Sequence, residues 1–146
     1  MKNDIKKYLK FSNLLADEAK IISLKYFKKK FRVKNKLNKG FDPVTTADTK
    51  IQKKLNNLIL NQFPTHSILG EEGSCIKSAE FEWCIDPIDG TKSFIQGIPL
   101  WGTLISLSKG KKIILGLADI PALGERYIGY SNVSYKIINK KKEKLK

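Results

Sequence analysis

Apolar side chains at Ile5, Leu9, Leu15, Ala19 and Ile22 recur near helical spacing with lysines between them. That pattern predicts an amphipathic helix from about Asp4 to Lys29. A second helix is predicted from Thr46 to Pro64, with Ile51, Leu55, Leu58 and Ile59 on its buried side and the proline as its stop. Between the two, Lys34 to Gly40 has no periodicity and reads as a polar loop. Beyond Pro64 the pattern turns β-rich: Ile68 and Leu69 end one strand, and Glu82 to Ile85, Thr103 to Ser108, Lys112 to Asp119 and Arg126 to Tyr130 form others. Lys109-Gly110-Lys111 is a hairpin signal, and Pro121 to Gly124 makes the next reversal. The expectation is an α+β fold, an antiparallel meander with two helices on one face. Thr103 to Leu107 and Ile113 to Leu117 are apolar at both alternating positions, so the other face is expected to need cover as well.

Composition adds limits. With 146 residues, 41% of them apolar, seven Phe and two Trp, the chain is sized for one folded unit over residues 1–146. Its start lacks the apolar stretch of a signal peptide and no run reaches the ~18 apolar residues of a membrane span, so a cytoplasmic setting without membrane contact is expected. Cys75 and Cys84, the only cysteines, are expected to stay reduced there. The net charge of +14 would suit a nucleic-acid partner, but it is almost all lysine, spread over nearly every segment, with arginine only at Arg32 and Arg126. Nucleic-acid binding is therefore disfavoured.

The chemistry concentrates in Asp86-Pro87-Ile88-Asp89-Gly90-Thr91, directly after the strand that holds Trp83 and Ile85. Two carboxylates across a proline-stiffened turn can converge on a hard, oxygen-seeking cation such as Mg²⁺. Gly90 lets backbone approach an anion, and a short helix opening at Thr91 and running through Phe94 would aim amides at it. The competing reading is a plain Asx-type turn with a helix cap. Gly70-Glu71-Glu72-Gly73, a second acidic turn at a strand end, favours the cation reading, because converging carboxylates repel unless a cation neutralises them. Asp48 has two open readings, since its spacing from Thr45 also fits a capping box.

Other signatures fail on spacing. Gly90-Thr91-Lys92-Ser93 lacks the Gly-Lys pair and leading glycine of a P-loop. Asp86 and Asp89 are three apart, which disfavours a covalent aspartyl route that needs two acids two apart. His66, the only histidine, is expected to be structural, and Cys84 to pack in its strand without an electropositive setting.

Three ordered segments, Asp42-Pro43-Val44-Thr45-Thr46-Ala47-Asp48, Gly70-Glu71-Glu72 and Asp86-Pro87-Ile88-Asp89-Gly90-Thr91, resemble the motifs of the inositol monophosphatase family. Residues 97–105 and 121–129 are similar to its histidinol-phosphatase branch. The resemblance covers about Gly40 to Gly129 and implies the N-terminal half of an αβαβα layered fold. It further implies that Glu71, Asp86 and the Ile88 carbonyl hold one Mg²⁺, that Asp86 and Asp89 share a second, and that Glu71, Asp48 and Thr91 serve catalysis. Thr91 and Asp48 would pair to orient an attacking water, while the amides of Gly90 and Thr91 hold a phosphate. A phosphorylated small molecule is the implied substrate: histidinol phosphate first, inositol phosphate as the alternative. Family members continue well beyond the length of this chain with a Trp-Asp motif that completes the second metal site. The expectation is therefore that the Lys140 to Lys146 end is solvated and that catalysis needs a second-half polypeptide or a homo-oligomer. The reading from another class is a non-catalytic Mg²⁺- or phosphate-binding remnant.

Overall fold

In a computed structural model the chain is described over residues 2–29, 33–35, 43–70 and 79–145. Helix α1 runs Lys2–Tyr26 and stops short of Lys29, because Lys28 enters the left-handed region at φ 61°. A short antiparallel pair follows, β1 Val33–Asn35 with β2 Pro43–Thr45, so the segment expected as loop begins as strand; residues 36–40 lie outside the described residues. Helix α2, Thr46–Gln62, ends two residues before Pro64, as the restriction on the residue preceding proline requires.

The remaining elements are β3 Ser67–Gly70, β4 Phe81–Asp89, α3 Thr91–Gln96, β5 Gly102–Lys109, β6 Lys112–Ile120, β7 Glu125–Tyr130, β8 Val133–Ile138 and β9 Lys141–Lys144. They build a seven-stranded sheet in the order β3-β4-β5-β6-β7-β8-β9. The meander is antiparallel, but β3 lies parallel to β4, which makes the sheet mixed. A parallel neighbour needs a connection longer than a tight turn. Strands β8 and β9 were not foreseen. Their hairpins turn on Ser131-Asn132 (φ 48° and 63°) and Asn139-Lys140 (φ 49° and 65°), the paired positive φ values of two-residue turns that match strand twist. The lysine-rich end is exposed as expected, yet it is a paired edge strand, where lysines discourage further strand addition.

Both helices pack on one face. Across it run two buried rows, Ile85-Ile105-Leu117-Ile128 and Trp83-Leu107-Leu115, against Leu15, Ala19, Ile51, Leu55 and Ile59. Arg126 ties α1 to the sheet: Nε donates to Asp119 at 2.7 Å, Nη1 to Asn13 at 2.9 Å and Nη2 to Asp17 at 2.7 Å. Burial pushes the Asp119 carboxyl above its ordinary range against the lowering pull of Arg126. The opposite face is less apolar than the sequence suggested. Its rows read Asp86-Leu104-Ala118-Tyr127-Lys136 and Cys84-Ser106-Gly116-Gly129-Ser134. Large side chains were spent on the helix side, leaving small ones opposite. Cys84 lies on this open face and is exposed; partial burial, Glu82 and Asp86 all push its thiol up.

His66 is structural. It sits between the rings of Phe63 (4.6 Å) and Phe81 (4.9 Å), and its Nδ1 accepts from the Trp83 indole at 3.1 Å. Burial and then Lys7 lower its pKa, against a weaker raising effect of Glu80. The folded state therefore favours neutral imidazole. Its contribution is complete above the unfolded value of about 6.5 and is lost as pH falls below that through the lower folded value. Melting temperature should fall as pH drops from 7.5 to 5, and His66→Phe should flatten that slope. An unchanged slope in His66→Phe would show that other groups carry it.

Candidate active site

The Asp86 to Thr91 segment is not a turn after the strand. β4 continues through it to Asp89, with a bulge: Asp86 pairs with Leu104 and Asp89 with Gly102, so three steps on β4 meet two on β5. In a regular strand two residues three apart point to opposite faces. The extra residue restores parity and puts Asp86 and Asp89 on the same, open face. Pro87 is tolerated in this interior strand because it falls in the bulge. Thr103 Oγ1 donates to the Pro87 carbonyl at 2.9 Å and pins it there. Sequence reading missed that threonine; a buried hydroxyl opposite a strand proline was the available signal.

Gly90 follows at φ 81°, and a Cβ there would lie 3.0 Å from the Leu100 carbonyl oxygen. Only glycine meets both demands. Helix α3 then starts at Thr91, as expected, and extends past Phe94 to Gln96. Its position is set by an aromatic cluster, Phe94 on Trp101 at 4.8 Å with Phe27, the residue after α1, against both. The Thr91 hydroxyl donates to the Ile88 carbonyl at 2.8 Å, not to Asp48. The bulge turns that carbonyl toward the residue three positions on. Having given its one proton to Ile88, Thr91 Oγ1 presents lone pairs only.

Asp48 is 1% exposed and caps α2. Its Oδ2 accepts from the Thr45 amide at 2.8 Å and from the Thr45 hydroxyl, while Thr45 Oγ1 accepts from the amides of Ala47 (3.1 Å) and Asp48 (3.3 Å). Of its two open readings, the capping box is therefore in place.

Asp86 and Asp89 provide hard carboxylate oxygens suited to Mg²⁺. Among the described residues no group of three His, Cys, Asp or Glu side chains assembles, and Glu71, like Glu72 and Cys75, lies outside them. Gly70 and Ile85 are register partners, so Glu71 and Asp86 each follow one of a pair of adjacent residues. The donor set fits the cation in chemistry. Asp86 also lines an open hollow of about 560 Å³ on the uncovered sheet face, with Leu104, Ser106, Gly116, Ala118 and Tyr127. No described helix is long and apolar enough to cross a membrane.

Residues 4–145 match the inositol monophosphatase family. The chain belongs to that family. Among the relatives of this inositol monophosphatase family chain, the bifunctional phosphatase IMPL2, chloroplastic, of Arabidopsis thaliana is 43% identical over 129 residues, covering 86% of this chain and 37% of that protein. A histidinol-phosphatase of Streptomyces coelicolor is 33% identical over 123 residues, covering 82% of this chain and 46% of the relative. The solved Thermotoga maritima IMPase superposes with a TM-score of 0.81 at 29% identity, over 92% of this chain and 52% of that one. The chain thus spans about half the length, or less, of these relatives.

Proposed function

We propose that this chain supplies the cation- and phosphate-binding half of a Mg²⁺-dependent phosphomonoesterase, acting on histidinol phosphate in a cytoplasmic setting. The bulge that brings Asp86 and Asp89 onto one face beside Gly90 carries the reading. Supporting the substrate are the likeness of residues 97–105 and 121–129 to the histidinol-phosphatase branch and the histidinol-phosphatase relative. Inositol phosphate is the second reading, favoured by the Thermotoga maritima IMPase likeness.

Glu71, Asp86, Asp89 and the Ile88 carbonyl would hold Mg²⁺, which when bound acidifies water and neutralises charge on the leaving oxygen. The amides of Gly90 and Thr91 hold the phosphate. Thr91 Oγ1, with its proton fixed on Ile88, accepts from the attacking water and so orients it. Asp48 keeps Thr45 and the start of α2 in place behind them.

Phosphate release from histidinol phosphate and from inositol 1-phosphate, followed with and without Mg²⁺, tests the proposal. Release independent of Mg²⁺ would sink it, and a preference for inositol phosphate would select the second reading. Thr91→Ala should leave Mg²⁺ binding nearly intact and lower turnover by roughly 10²-fold, the range for a lost proton-positioning group. Full turnover in Thr91→Ala would remove Thr91 from the reaction.

A further inference from the structure

Between the pairs Asp86–Leu104 and Asp89–Gly102, two residues of β4, Pro87 and Ile88, face a single residue of β5, Thr103. All three are buried, Thr103 completely. Thr103 pairs with Asp119, whose carboxylate meets Arg126 and through it α1, so the threonine lies on the helix-covered side of the sheet, behind the face that carries Asp86 and Asp89. Its hydroxyl has one proton and gives it to the Pro87 carbonyl at 2.9 Å. That carbonyl belongs to the peptide between Pro87 and Ile88, midway between the two acids. A turn of this peptide would move both.

Thr103 is itself held in place. A Cβ added at Gly102, the register partner of Asp89, would lie 2.6 Å from the Asp119 carbonyl oxygen, a backbone atom that cannot swing aside. Gly102 is not among the positive-φ glycines, so it serves the close approach of β5 to β6 and not a turn. With β5 seated on β6 there, the hydroxyl of the next residue has a fixed base from which to hold the bulge. If the bulge straightened, the side-chain period of two would send one acid to the opposite face. We infer that Thr103 is a positioning residue for the cation site: its hydroxyl, acting from the covered face, holds the Pro87 carbonyl and so keeps the Asp86 and Asp89 carboxylates on one side. This rests on the proposed function, in which the two carboxylates share a cation. Groups that orient metal ligands from behind typically change metal affinity by roughly 10–100-fold when removed.

Mg²⁺ affinity, measured by titration calorimetry on the full chain beside the metal-free melting temperature, tests it without recourse to activity. Thr103→Val keeps the shape and removes the donor, and should weaken binding by about tenfold or more. Thr103→Ser keeps the donor and should bind as the parent does. If Thr103→Val fails to fold, as judged by circular dichroism, Thr103→Ser and Thr103→Ala decide, because they lose the same methyl group and differ only in the hydroxyl; the alanine variant should bind more weakly by the same factor. A folded Thr103→Val variant that melts lower but binds Mg²⁺ as the parent does would reduce the hydroxyl to a stabilising tie, overturning the inference and leaving the proposed function standing. Equal affinities in Thr103→Ser and Thr103→Ala, or a Thr103→Ser variant as weak as Thr103→Val, would also overturn it. A parent chain that binds no Mg²⁺ removes the proposed function and the inference together.

Discussion

Asp86→Asn is expected to abolish the Mg²⁺-dependent rise in melting temperature predicted for the parent chain. A cation that binds only the folded state stabilises it by about 2.7 kcal/mol at a hundredfold excess over Kd. For a chain of this size that amounts to a rise of roughly 5–10 °C. Asp86 is proposed to bridge both cations, and its half-buried side chain lines the hollow on the open face. Asparagine keeps its shape and removes its charge, so the metal-free melting temperature should hold or rise slightly as repulsion with Asp89 is relieved. Asp89→Asn, touching only one of the two sites, should retain part of the shift. Equal Mg²⁺ shifts in the parent and in Asp86→Asn would refute the bridging assignment.

The second large effect is expected when the chain meets a polypeptide corresponding to the part of its relatives that it does not span. The helices cover one sheet face, and the other carries Asp86 together with Leu104, Tyr127 and the small residues Ser106, Gly116, Ala118 and Gly129. A partner seated there would close the hollow on the side that Asp86 lines. Although this face is less apolar than the helix side, Leu104, Ala118 and Tyr127 line its open hollow, and through them the chain alone should self-associate or bind a hydrophobic dye. Mixing with the second polypeptide should quench the dye signal and raise Mg²⁺-dependent histidinol phosphate hydrolysis by at least roughly 10²-fold, the scale of one missing catalytic group. A dye-silent monomer with an ordinary enzymatic rate, unaffected by the second polypeptide, would refute this account.

Both predictions draw on features of unequal legibility in the chain. The two helices could be read from the 3.6-residue recurrence of residues such as Leu15, Ala19, Ile51 and Leu55, because one face of each is buried and the pattern records that. The hairpin at Lys109-Gly110-Lys111, the capping box of Thr45 and Asp48, and the acid pair around Pro87 were likewise local, each set by residues within a few positions of one another. The β7-β8 hairpin was equally local but carried its turn on Ser131-Asn132, a weaker signal than a glycine-containing pair.

What local pattern could not decide was anything that depends on a partner strand. The sequence determined that Asp86 and Asp89 sit beside a glycine and a threonine at the end of an apolar strand. Only the pairing of Asp86 with Leu104 and of Asp89 with Gly102 put the two carboxylates on one face. Likewise the spacing of Thr45 and Asp48 announced a cap, but the donation of the Thr91 hydroxyl to Ile88 in place of Asp48 follows from how the bulge turns a carbonyl. The ties from Arg126 to Asn13 and Asp17 join a strand to a helix more than a hundred residues away and leave no trace in either segment alone. Side-chain period and turn chemistry are written along the chain, whereas strand register and contact across layers arise only when distant segments compete for the same space.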